Sequence, residues 1–185
     1  MRAGAVLCAL VLAAPVAAFE IDYDRLFRDH ADRVMVAEPG VERLELPGPV
    51  IVERRGTRIR ATDQSGWGPA GCAVDRLVSA ATVVLACPDR FTPEIRDRVA
   101  FQALRGARFF AANTAPSGDA AGAEGLLRET LARRLESDRA ALDRACADPE
   151  SPLVAFAWHL AEEASLQRFE KILSQPRLPV SHPCP

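Results

Sequence analysis

Residues 157–164 read Ala-Trp-His-Leu-Ala-Glu-Glu-Ala, the stretch of this chain whose residue types come closest to a chemical site. An imidazole followed three and four residues later by carboxylates is one way to place metal ligands on a single helix face. His159 and Glu163 would then supply two ligands, one short of the three protein ligands that catalytic zinc takes. The zincin motif is His-Glu-x-x-His and its inverse is His-x-x-Glu-His, and Glu163 stands where the inverse has its second histidine. The other histidines, His30 and His182, are far away in sequence. The plainer reading is a solvated helix surface. On a helix turning about 100° per residue, His159 shares one side with Glu162, Glu163, Gln167 and Glu170. Trp158, Ala161, Ser165, Phe169 and Ile172 fall on the other.

A second candidate is His182-Pro183-Cys184 near the C-terminus. Imidazole with thiolate suits a soft metal such as copper, provided that Cys184 is a free thiol. A third is the basic cluster Arg54, Arg55, Arg58 and Arg60. If Arg55-Gly56 turns a hairpin, Arg54 and the two arginines of the returning strand crowd one wet face. An anionic partner would dock there, such as an acidic envelope protein or a carboxylate-bearing cell-wall polymer. The competing reading pairs these arginines with Glu42, Glu45 and Glu53. Trp67, between Gly66 and Gly68, would either stack on a ligand or fold back over the core, and its large apolar surface favours folding back.

The nucleophile motifs Gly-x-Ser-x-Gly and Ser-x-x-Lys are absent, and no glycine-rich loop precedes a helix with lysine. Carboxylates are plentiful, but none is singled out for glycoside chemistry. No cofactor or resident metal is called for. The formal net charge of −2 offers no general attraction to nucleic acid.

The residues that position these groups begin after a leader. Residues 1–18 combine Arg2, an apolar run too short to span a bilayer, and small residues at Val16 and Ala18, the pattern of a secretory signal cut before Phe19. Of the 23 Lys and Arg, the one lysine is Lys171; with abundant alanine this suggests a bacterial source and a periplasmic destination, secretion being the alternative. Residues 19–185 are expected to form one α+β domain.

Four cysteines follow the leader: Cys72, Cys87, Cys146 and Cys184. An even number in an oxidising compartment predicts two disulfides, with three possible connectivities. The run 73–86 is ambiguous in periodicity. As one helix it would hold Cys72 and Cys87 about 22 Å apart, whereas a disulfide needs Cα atoms within roughly 7 Å. Its β-branched residues also favour strands. The expectation is therefore a hairpin closed by Cys72–Cys87, with Cys146–Cys184 pinning the proline-rich tail across the helices.

Residues 34–87 read as β-rich: Val34 to Val36, the alternating Val-Glu-Arg-Leu-Glu-Leu at 41–46, and strands at 50–54 and 57–61 separated by glycine turns. Residues 92–173 read as three helices. Thr92-Pro93 caps the first, which ends at Asn113; a linker spans 114–122; the second covers 123–145 and the third runs from Ser151-Pro152 to Leu173. The tail, 174–185, is proline-rich. The sequence thus predicts an antiparallel sheet packed on about three C-terminal helices. Functionally it predicts a non-enzymatic binding module of the cell envelope. The alternatives are a small envelope hydrolase, metal-assisted through His159 and Glu163, and a soft-metal carrier using His182 and Cys184.

Overall fold

The computed structural model describes residues 19–115, 120–182 and 184. The expected leader, residues 1–18, part of the 114–122 linker, and Pro183 and Pro185 lie outside the described residues. Within them the chain is α+β, with a four-stranded antiparallel sheet, seven α-helices and two disulfides. No described helix is long and apolar enough to cross a membrane.

A short helix, α1 (Tyr23–Asp29), precedes a meander of β1 (Met35–Glu38), β2 (Val41–Leu46), β3 (Val50–Arg55) and β4 (Arg58–Asp63), ordered β1-β2-β3-β4. Alternation does what the pattern demands. Leu44 opposes Val52, which opposes Ala61, while Leu46 opposes Val50, and Leu44, Val50 and Val52 are fully buried. Full burial of each such side chain contributes about 1.5–3 kcal/mol. Their cover is not the long helices, as expected, but Phe27 of α1 with Leu178 and Val180 of the tail. The larger cluster is built by the helices and the segments that join them.

The run 70–86 is a helix, α2 (Ala70–Ala86), not a hairpin. Most of its residues are buried, because it is the central helix, flanked by α3 (Pro93–Thr114), α4 (Ala123–Ser137), α5 (Arg139–Ala147) and α6 (Pro152–Leu160). Only Asp75, Arg76, Ser79, Leu85 and Ala86 are left unburied, so the polar stripe that marks a helical period is narrow. Thr82 fits by donating its hydroxyl to the Val78 carbonyl at 2.9 Å. The first expected C-terminal helix forms as α3, with Thr92 as N-cap; Asn113 remains helical and donates to the Phe109 carbonyl.

The other two long helices are each broken. The second splits at Asp138 into α4 and α5. The third splits at Ala161–Glu162 into α6 and α7 (Glu163–Ile172). Glu162 is extended (φ −67°, ψ 147°), and Arg98 of α3 donates to the Ala161 carbonyl at 3.2 Å, supplying a partner where the helix carbonyls run out.

With α2 helical, its two cysteines sit at opposite ends and cannot meet. The disulfides are Cys72–Cys184 and Cys87–Cys146, which overturns the pairing expected from a hairpin. The tail still acts as a strap, but across the start of α2. Two glycines let it pass. A Cβ on Gly48 (φ 79°) would lie 2.5 Å from Arg177 Cβ, and one on Gly71 would meet the Pro179 carbonyl. Gly71 also donates its N–H to Val180 O at 2.9 Å.

The strap is locked by Arg177. Its guanidinium is buried and donates to Asp63 Oδ2 (2.7 Å), Ile172 O (2.8 Å), Gln175 O (2.9 Å) and Gly68 O (2.8 Å). Asp63 ends β4 and also accepts the Ser65 N–H. One side chain thus ties the end of the sheet, the 64–69 loop and the end of α7 to the tail.

Candidate functional site

The break at Ala161–Glu162 decides the site. In one continuous helix, His159 would face away from Ser165, Phe169 and Ile172. The break turns α7 so that both sets line one cleft, of about 270 Å³, between α2, α6 and α7. Its floor is apolar: Ala73, Leu160, Phe169 and Ile172 are buried, with Phe156 half-buried beside them. Polar groups stand at its rim: Arg76 from α2, His159 from α6, and Ser165 and Arg168 from α7. Gly68, Pro69 and Cys72 also line it, so one half of the Cys72–Cys184 disulfide stands in the wall.

His159 is mostly exposed, and its Nδ1 lies 3.1 Å from Glu162 Oε2. An exposed pair of this kind contributes little to stability. Glu163, the other half of the metal reading, sits on the next helix and accepts from Gln167 Nε2 at 3.0 Å. Glu170 accepts from Arg105 at 3.1 Å. Among the described residues no group of three metal-ligating side chains converges. The soft-metal pair fares differently: Cys184 is bonded to Cys72, so the thiolate it needs is consumed.

The four arginines of the sheet do not share a face. In the β3–β4 register Arg54 opposes Ile59, Glu53 opposes Arg60 and Arg55 opposes Arg58, which places Arg54 on the inner face and the other three on the outer. Arg54 donates to Glu42 at 2.6 Å, lies 3.4 Å from Asp24 and rests 4.2 Å over the Phe27 ring. That hydrogen bond holds the Glu42 carboxyl below its ordinary range. Arg55 pairs with Glu38 at 3.1 Å. Arg58 and Arg60 are exposed, with no ion-pair or hydrogen-bond partner among the described residues. Trp67 is folded under Lys171, whose Nζ lies 4.7 Å from the ring centroid, and it keeps 42% of its surface exposed.

Arg76, Ser165 and Arg168 were not singled out by the sequence. Arg76 did carry a signal, as the lone cation within an apolar run. Arg168 carried none, because its place depends on the helix break. Comparison of the chain with protein-family models, curated proteins and solved structures finds no match.

Proposed function

We propose that this chain is an exported, disulfide-braced binding module of the bacterial cell envelope, and that the cleft between α2, α6 and α7 is its binding site. The observation that carries the reading is the cleft itself: a concave apolar floor with a few convergent polar groups, which is how small-ligand sites are built. Its volume lies just below the roughly 300–1,000 Å³ of pockets for drug-sized molecules, so the ligand is small. Support for export comes from the leader-like residues 1–18 and from two disulfides, which persist in oxidising compartments. Binding without turnover fits a rim whose one acid–base pair, His159 with Glu162, is open to solvent. The outer-face Arg58 and Arg60 offer a separate surface to an anionic envelope component.

The test is a ligand screen by nuclear magnetic resonance on the oxidised protein, with a rim-filling Ser165→Trp variant alongside. The reading predicts hits whose shift changes map to α2, α6 and α7 and vanish in the variant while its melting temperature stays native. Hits mapping elsewhere, or chemical turnover of a hit, contradict it.

A further inference from the structure

The charge distribution around the cleft says more than its shape. The chain as a whole is nearly balanced, with 23 Lys and Arg against 25 Asp and Glu. The cleft is not: its lining includes Arg168 and His159 but no Asp or Glu. Glu162, at the break between α6 and α7, is engaged with His159 Nδ1. Arg168 is exposed and has no hydrogen-bond or ion-pair partner among the described residues. A guanidinium that is not neutralised within the protein, beside a half-buried serine and above a floor of Leu160, Phe169 and Ile172, fits a molecule with two ends. One end is an anion that accepts hydrogen bonds from the guanidinium. The other is an aliphatic body that leaves water on contact with the floor.

We infer that the cleft binds a small amphiphilic carboxylate, its charged group held by Arg168 at the rim and its aliphatic body laid on Leu160, Phe169 and Ile172. This rests on the cleft being the binding site and adds the class of ligand. A cation of the same length is repelled by the rim, and a neutral alcohol loses the charge-assisted bond.

The experiment is calorimetric titration of the oxidised full chain at neutral pH and low salt with hexanoate, octanoate, octanol and octylamine, with resonance shifts recorded in parallel. Octanoate is expected to bind with shifts at Leu160, Phe169 and Ile172. Each added methylene should tighten binding by about fourfold, which makes octanoate about fifteenfold tighter than hexanoate. Octanol should bind at least about tenfold more weakly. Arg168→Ala should weaken octanoate by about tenfold while leaving octanol unchanged, and Arg168→Lys should recover part of the loss. Octanol or octylamine binding in the cleft as tightly as octanoate would overturn the carboxylate assignment and leave the cleft as the binding site. No shift in the cleft with any of the four would overturn both.

Discussion

Removing the Arg177 side chain from beneath the strap is the sharpest perturbation available to stability. In Arg177→Ala the Asp63 carboxylate, buried with its partner, loses its counter-ion, and three carbonyls, those of Gly68, Ile172 and Gln175, lose a donor. Breaking a buried pair by removing one member costs about 3–5 kcal/mol, because an uncompensated charge is left behind. For a domain of this size about 1 kcal/mol moves the melting temperature by roughly 2–4 °C, so a drop of about 10 °C is expected. Urea denaturation under oxidising conditions measures the loss directly. Asp63→Ala alone should cost a similar amount. The double variant should cost less than the sum of the singles by at least about 1 kcal/mol, since residues sharing one buried network are not additive. A loss below about 1 kcal/mol for Arg177→Ala, or strict additivity in the cycle, would refute the idea that this pair latches the tail to the sheet.

Three further outcomes follow from the same packing. Replacing both Cys87 and Cys146 by serine opens a bridge spanning 59 residues; the chain-entropy account gives a loss of about 4 kcal/mol, read as an earlier urea midpoint, and an unchanged midpoint counts against that bridge. Gly71→Ala forces a methyl group into the Pro179 carbonyl and should cost about 1–3 kcal/mol, the usual toll of overpacking, whereas Gly125→Ala, inside α4 with open space around it, should raise the melting temperature slightly, since alanine favours a helix over glycine by about 0.5–1 kcal/mol. Tyr23 is the chain's one tyrosine, and burial raises its phenol above the ordinary value of 10.0. Folding therefore retains that proton to higher pH than the unfolded chain does, and the associated stability is present below the unfolded value and lost as pH rises through the folded one. An ultraviolet titration should place the tyrosinate midpoint above 10.0 in the native protein, and a midpoint at or below it would contradict the burial.

The sheet was legible because its signals are local. Alternation in 41–46 and glycine-bearing turns at 47–49 and 55–57 specify a meander whatever packs on it. The Thr92-Pro93 start of α3 was legible for the same reason. What could not be read depends on neighbours. α2 keeps only a narrow polar stripe, Asp75, Arg76 and Ser79, because other helices surround it, so its β-branched residues argued for strands. That misreading carried the disulfides with it, since accepting a helix over 70–86 rules out Cys72–Cys87 by distance. The breaks at Asp138 and at Ala161–Glu162 carry no glycine or proline, and the second is met by a tertiary bond from Arg98 to the Ala161 carbonyl. The cleft inherits this difficulty: Ser165 and Phe169 join His159 only because α7 turns. The Arg177–Asp63 pair spans 114 residues, and a lone arginine in a proline-rich tail gives no hint of its partner.

The measurement that bears most directly on the proposed exported, disulfide-braced module is intact-mass and non-reducing peptide mass spectrometry on the full chain expressed in bacterial cells and recovered after fractionation. The account predicts a periplasmic chain beginning at Phe19, no free thiols, and cross-linked peptides joining Cys72 to Cys184 and Cys87 to Cys146. A cytoplasmic chain that keeps residues 1–18 and carries reduced cysteines, or a cross-link joining Cys72 to Cys87, would contradict it.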